Sequence, residues 1–429
     1  MMDFNQLCVI GLGYIGLPTS SMFASKGLKV TGVDSDPRVV ESLRQGKVHI
    51  YEPGLQEVVA AVVQTGALAI SSAPVEADAF IIAVPTPFRE GKQADLSYVR
   101  AAAHSIVPVL RRGNLVVLES TSPPLTTLQV VLPILEESGL HGGEDFLLAY
   151  SPERVLPGQI MKELVENARV IGGINEASSL AGRQLYQKIV AGEIVLTDAT
   201  TSEMVKLMEN TYRDVNIAIA NEFSRLADRF NVDVWEAIAI ANRHPRVRIL
   251  NPGPGVGGHC ISVDPWFLVE SAPDITPLIL AARKVNDTQP DFVIETLLQL
   301  LTPVAGRRAA VLGLAYKPDV DDLRESPAVE VVHKLVGLGV QVNACEPFKG
   351  DYKIDGATIS ANLSEAIKDA EVLLILVGHE QFRQLNPHDV AQLTPARLVV
   401  DTVNCLAAEA WRSAGFTVER LGDRKNSIR

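Results

Sequence analysis

Residues 253–265 read GPGVGGHCISVDP, four glycines within six positions followed by His259, Cys260 and Asp264. Three chemistries suit such a run. Backbone amides freed by glycine can bind phosphate, a His–Cys pair can ligate a metal, and a thiolate can act as a covalent nucleophile. Metal is the weakest fit, because His259 and Cys260 are adjacent and no second Cys or paired His lies near them to complete a tetrahedral set, so no metal is expected. A buried, inert thiol is the plain alternative. The glycines argue against it by exposing amides and leaving room for a ligand, and Asp264 is a possible partner in proton transfer.

A second constellation lies near the N-terminus. Gly11-Leu12-Gly13-Tyr14-Ile15-Gly16 is a GxGxxG between an apolar strand and a helix, and Asp34 closes the next strand about 20 residues on, the dinucleotide-binding arrangement. The first glycine permits the tight turn, the second lets a pyrophosphate approach, and the third lets helix and strand pack closely. Asp34 would accept hydrogen bonds from ribose hydroxyls and repel a 2′-phosphate, which favours NAD over NADP. Thr86 in VPTP and Thr121 in EST each end a later strand, where a doubly wound sheet places its ligand; they are candidate cofactor ligands or, alternatively, caps of the following turns. Lys206 and Asn210 stand four apart on a predicted helix and so share a face. On residue type alone that is an ordinary solvated face.

The elements that must position these residues alternate from the start. Strands are predicted over 7–13, 29–34, 79–85 and 115–121, with helices over 15–26 and 37–45. Apolar runs without alternation, separated by amphipathic helices, are what a parallel sheet covered on both faces requires. From 200 to 231 no Gly or Pro occurs, and Met204, Leu207, Met208 and Tyr212 recur at helical spacing. This predicts a long central helix with Thr201 or Ser202 as N-cap and an apolar stripe that packs against the flanking domains or a second subunit. A second α/β unit begins near 307, with strands over 340–347, 371–378 and 396–402 and helices over 328–338 and 363–369. The fold class is therefore α/β: two Rossmann-like doubly wound domains joined by a long central helix and a helical middle domain. DRKNSIR at the end reads as a frayed tail.

With 39 Lys and Arg against 51 Asp and Glu, the 429-residue chain carries a net charge of −12. An acidic surface argues against nucleic acid or anionic lipid as the main partner. No apolar run approaches the roughly 20 residues that span a bilayer, and the N-terminus lacks a signal-peptide pattern, so no membrane association and a cytoplasmic location are expected. Four scattered cysteines, Cys8, Cys260, Cys345 and Cys405, with no CxxC, fit a reducing compartment.

GLGYIGLP, VPTP, EST, SPERVLPG (151–158), EMVKLMEN (203–210), NPGPGVGGHCISVDP (251–265) and GLAYKPDVDDLRESP (313–327), in this order, resemble the UDP-glucose/GDP-mannose dehydrogenase family over nearly the whole chain. NRHPRV (242–247) joined to GGHCISVDPW is most similar to the members acting on UDP-N-acetyl-D-mannosamine, with UDP-N-acetylglucosamine the rival substrate. The resemblance implies an NAD-dependent, four-electron oxidation of the sugar C6 alcohol to a carboxylate. Cys260 is then the nucleophile, Lys206 the proton-transfer and charge-stabilising group, Asn210 a donor to the C6 oxygen, Asp264 an orienter of water or thiol, and Glu153 an assistant to thioester hydrolysis. Arg154, Val155, Lys206, Asn210, Arg213, His244, Arg246, Gly257, Tyr316 and Lys317 match positions that contact the UDP-sugar, and Arg324 one that contacts NAD. His244 and Arg246 are expected to reach a neighbouring subunit of a homodimer or higher homo-oligomer. The implied division is an NAD-binding domain over 1–198, a central helical dimerisation domain over 199–300 and a UDP-sugar-binding domain over 301–429. One departure is visible: Asp401-Thr402-Val403-Asn404 offers no basic residue where relatives often carry one, and the stretch from Cys405 onward is assigned no role.

Overall fold

A computed structural model describes residues 4–156 and 158–424. The chain forms two compact units, one of Met1–Glu209 with Trp266–Pro273, the other of Asn210–Pro265 with Asp274–Arg429.

The first unit holds an eight-stranded sheet in the order β3-β2-β1-β4-β5-β6-β7-β8. Its strands are β1 (Gln6–Ile10), β2 (Lys29–Val33), β3 (Leu68–Ser71), β4 (Ala79–Ile82), β5 (Leu115–Leu118), β6 (Leu147–Tyr150), β7 (Arg169–Gly173) and β8 (Ile194–Asp198). Alternate residues feed two cores: Leu7, Val9, Ile81 and Val117 pack on one face, and Cys8, Ile10, Phe80, Ile82 and Leu118 on the other. Covering both faces explains why these strands read as unbroken apolar runs. The strands end before the prolines of VPTP, which cannot donate to a ladder. The sheet is parallel except at β6–β7, which pair antiparallel through Ala149↔Gly173 and Tyr150↔Gly172. That reversal, like β3, β6, β7 and β8 themselves, lies beyond the sequence expectation.

The second unit holds six strands, all parallel, in the order β11-β10-β9-β12-β13-β14. These are β9 (Arg308–Leu312), β10 (Gln341–Cys345), β11 (Ala357–Ser360), β12 (Val372–Ile375), β13 (Leu398–Asp401) and β14 (Thr417–Arg420). In each sheet the order reverses beside the first strand, between β1 and β4 and between β9 and β12, where an open α/β sheet forms its crevice.

The long helix runs from Ala199 to Phe230. Its cap corrects the expectation for Thr201 or Ser202: Asp198 Oδ1 accepts the Thr201 N–H at 2.9 Å and Asp198 Oδ2 the Thr201 hydroxyl at 2.6 Å. The apolar stripe is only partly core. Leu207 is buried, but Met208 is 57% and Tyr212 73% exposed in the single chain. The frayed-tail expectation is corrected at Asp423 alone. β14 pairs with β13 along its length, and Asp423 is buried and ion-paired to Arg420, which also bridges to Asp233 at 2.7 Å. Residues 425–429 of that expectation lie outside the described residues, as does Pro157 of SPERVLPG.

Candidate active site

In the first unit the loop after β1 turns on Gly11, at φ +94°, where a Cβ would sit 2.5 Å from the Ala83 carbonyl oxygen. A Cβ on Gly16 would collide with the Gly11 carbonyl at 1.8 Å, so helix Gly16–Ser25 starts tight against the turn. Gly13 differs: nothing lies within 4 Å of its Cβ position. The loop is therefore closed on its own chain at both ends and open in the middle, beside Tyr14 and Ile15. Asp34, half-buried, accepts the Leu12 N–H at 3.0 Å and the Asp36 N–H at 2.9 Å, one on each oxygen. A carboxylate has about four acceptor positions, so two remain for ribose hydroxyls. The Thr86 hydroxyl donates to the Thr121 backbone carbonyl at 2.7 Å, which ties the loops after β4 and β5 together.

Glu153 and Arg154 stand on the segment between β6 and β7. Glu153 accepts its neighbour's N–H from Arg154 at 2.7 Å and the Arg169 guanidinium at 2.8 Å. Arg169 is itself buried, stacks on the Tyr186 ring, and pairs with the buried Glu119. Burial pushes the Glu119 carboxyl up to about 7, against the pull of Arg169 and with the push of Glu153. Arg154 is engaged by Glu209 of the long helix, Nε to Oε2 at 3.1 Å and Nη2 to Oε1 at 2.8 Å, while Val155 is half-buried beside it. Lys206, three residues before Glu209, is only 8% exposed, and its unit offers it no ion-pair partner among the described residues.

The Cys260 loop lies in the second unit. Cys260 is partly exposed, its Sγ 3.8 Å from His259 Nδ1, and its carbonyl accepts the N–H groups of Val263 at 3.0 Å and Asp264 at 2.8 Å. Asp264, buried, opens helix Asp264–Ser271 and accepts the Asn210 amide at 2.5 Å. The glycines do not simply leave room. A Cβ on Gly257 would meet the Glu325 carbonyl at 2.5 Å and Pro327 at 2.7 Å, and one on Gly258, at φ +87°, the Tyr316 ring at 2.8 Å. The loop is pressed onto GLAYKPDVDDLRESP, a close approach that also requires glycine at these two positions. Arg324 is held by Asp322 through Nε at 2.9 Å and Nη2 at 2.6 Å. Burial works to raise the Asp322 carboxyl, but those bonds and the positive charge of His259 hold it below its ordinary value. Burial pushes the thiols of the other three cysteines up, Cys8 to about 11 and Cys345 and Cys405 to about 12.

Arg213, His244 and Arg246 are exposed and have no ion-pair partner in this unit among the described residues; His244 Nδ1 accepts only the Arg246 N–H, at 3.3 Å. Near Asp401–Asn404, which carries no basic residue, Arg420 of β14 reaches Asn404 Oδ1 at 3.2 Å.

Residues 5–190 match the NAD binding domain of the UDP-glucose/GDP-mannose dehydrogenase family, 200–288 its central domain and 310–408 its UDP binding domain. The chain is 44% identical over 431 residues to UDP-N-acetyl-D-mannosamine dehydrogenase of Methanocaldococcus jannaschii, covering 99% of this chain and 98% of that one. The chain belongs to the UDP-glucose/GDP-mannose dehydrogenase family. It is also 48% identical over 413 residues to NDP-N-acetyl-D-galactosaminuronic acid dehydrogenase of Ralstonia nicotianae, covering 93% and 96% of the two chains. A solved structure of UDP-N-acetyl-mannosamine dehydrogenase from Staphylococcus aureus is similar with a TM-score of 0.90 at 42% identity, covering 99% and 100%. The protein is thus an NAD-dependent UDP-sugar dehydrogenase.

Several residues around the sites of this dehydrogenase escaped the sequence reading. Buried Asn221 of the long helix accepts the Gly253 N–H at 3.0 Å and donates to Asn286 at 2.9 Å, anchoring the start of the Cys260 loop. Asp214 and Arg283 form a buried ion pair at 2.5 Å. In sequence each stands beside a charged residue (Arg213-Asp214, Asn221-Glu222, Arg283-Lys284, Asn286-Asp287) and looks like part of a solvated helix face, so no local signal marks it as buried.

Proposed function

We propose that this enzyme oxidises the C6 alcohol of UDP-N-acetyl-D-mannosamine to the carboxylate, with two NAD consumed per sugar and a covalent Cys260 intermediate. NAD, when bound, accepts the hydride released at each oxidation. Lys206, nearly buried and with no ion-pair partner in its unit among the described residues, donates to the C6 oxygen and stabilises its developing charge while the hydroxyl proton passes to water. The aldehyde so formed is attacked by the Cys260 sulfur, whose proton leaves, giving a thiohemiacetal; loss of its hydride and hydroxyl proton gives a thioester. Water adds to the thioester, losing its proton to Glu153, and the thiol departs as the carboxylate forms. The Asn210–Asp264 hydrogen bond fixes two of the groups that face the reacting carbon. Arg213, Gly257, Tyr316 and Lys317 hold the nucleotide, with Arg154 and Val155 lining the sugar side.

The observation that carries this reading is the Cys260 turn itself: a partly exposed thiol one turn from the buried Asp264, which accepts the amide of half-buried Asn210, in a chain whose other three thiols are pushed up by burial. The N-acetylmannosamine assignment is supported by relatives such as the M. jannaschii protein; the R. nicotianae relative makes a second N-acetylhexosamine the rival. Initial rates on UDP-linked N-acetyl-mannosamine, -glucosamine and -galactosamine, each with the NADH formed per sugar counted, test both parts. A clear preference for the mannosamine with two NADH per sugar is expected; one NADH per sugar refutes the covalent route, and a preference for another sugar moves the substrate.

Tyr212, Ile219, Phe223, Leu226 and Phe230 expose one apolar face of the long helix, and Phe223, Leu226, Phe230, Val232, Ile238 and Ile249 line a groove at its end. A second copy of the chain covering this face makes 199–300 the dimerisation domain and lets exposed His244 and Arg246 serve a neighbour's site. Four cysteines outside any disulfide suit the reducing cytoplasm.

A further inference from the structure

Glu346 follows β10 as Asp34 follows β2, and the two carboxylates grip equivalent loops. Asp34 takes one N–H from the loop after β1; Glu346 Oε2 takes two from the loop after β9, Leu314 at 2.7 Å and Ala315 at 3.0 Å, while Oε1 accepts the Phe348 N–H at 3.1 Å. Asp34 is partly open to solvent, but Glu346 is 0% exposed, and so is His379, which lies against it. His379 Nδ1 accepts the Asp319 N–H at 2.9 Å, so the ring proton sits on Nε2, 3.2 Å from Glu346 Oε2. Phe348 and Phe382 pack the ring at 5.2 and 5.4 Å. Asp319 holds a left-handed φ of 61° and returns the contact by accepting the Glu380 N–H at 2.9 Å.

A carboxylate so enclosed has no access to a ribose. What it does have is the loop: Glu346 holds residues 314–315 and its partner His379 holds residue 319. Between the two grips stand Tyr316 and Lys317. We infer that the buried Glu346–His379 pair is a positioning device for UDP-sugar binding, setting the loop that presents Tyr316 and Lys317. The inference rests on the reading of those two residues as substrate contacts.

Three replacements at His379 separate its two bonds. His379→Asn keeps an acceptor for Asp319 and drops the donor to Glu346, His379→Gln does the reverse, and His379→Ala loses both. The KM for UDP-sugar should rise by roughly tenfold or more in the alanine variant and less in the other two, the scale of losing buried, positioning hydrogen bonds. The kcat at saturation and the KM for NAD should stay near their original values, a split that general loosening of the fold would not produce. If His379→Ala does not fold, as judged by thermal unfolding, the Asn and Gln variants carry the same comparison. An unchanged UDP-sugar KM, or a parallel rise in both KM values, overturns the inference. Lys317→Ala distinguishes the two levels: no change there refutes the substrate-contact reading, whereas a raised KM there with none at His379 refutes the positioning role alone.

Discussion

The two sheets share one strand order around their first strands, yet the loops at their switch points differ in kind. After β1 the chain leaves space at Gly13 and an acid half-open to solvent; after β9 it closes over a fully buried acid and is covered by the glycines of the Cys260 loop. The same topology therefore supplies a socket in one unit and a fixed platform in the other. What decides between them is whether the carboxylate after the second strand keeps lone pairs for a ligand or spends them on its own backbone.

The largest effect that could break this contrast is chemical. On the proposed covalent route, Cys260→Ser should cut uronate formation by on the order of 10⁴ or more while leaving NAD binding by fluorescence titration intact. Substantial uronate synthesis by that variant would remove the covalent step. Next comes the acid pair. Glu346→Ala strands the N–H groups of Leu314, Ala315 and Phe348 and the His379 proton, at a cost of about 3–5 kcal/mol in unfolding free energy. Asp34→Ala should cost far less stability but narrow the preference for NAD over NADP, read as the ratio of kcat/KM values. Similar melting losses for the two variants would abolish the distinction between socket and platform.

The smallest effect is a difference of sign. Burial alone would raise Glu346, but its His379 and backbone donors hold it below the ordinary glutamate value, so its contribution is present above the unfolded pKa and lost as pH falls through the folded one. Glu119 runs the other way. One of its oxygens is buried without a hydrogen-bond partner, and its carboxyl, raised from 4.5 to about 7, binds a proton more tightly folded than unfolded. Stability should therefore fall between about pH 4.5 and 7 by at most ~3 kcal/mol, and Glu119→Gln should flatten that slope without touching the acid limb. A slope that survives in the variant assigns it to other groups.

Much of this was legible in the residues. Unbroken apolar runs give buried parallel strands, and the first glycine loop with Asp34 announces its geometry because Gly11 and Gly16 each answer a local steric demand. Strands β7, β8 and β14 were not legible: RVIGG ends in glycines, IVLTD is only half-buried, and TVER is a short edge strand. The pairing of Asn210 with Asp264, of Asn221 with Asn286 and of Glu346 with His379 joins residues far apart in the chain, and no local pattern encodes which polar group will meet which. Helical spacing shows that apolar residues of the long helix share a face, but not how that face divides between their own chain and a second subunit: Leu207 is buried, whereas Met208 and Tyr212 are exposed in the single chain.

The same helix governs how the molecule comes apart. Ala199–Glu209 belongs to one compact unit and Asn210–Phe230 to the other, although the backbone runs through without a break. Helices shorter than roughly 12–15 residues are marginal in water without packing. Ala199–Glu209 escapes that limit because its own unit packs it: Ala199 sits in the core, and the Glu203 carboxylate accepts the N–H groups of Leu125 and Thr127. Unwinding that starts at either end of the helix therefore has to break the contacts of one unit before it reaches residues of the other.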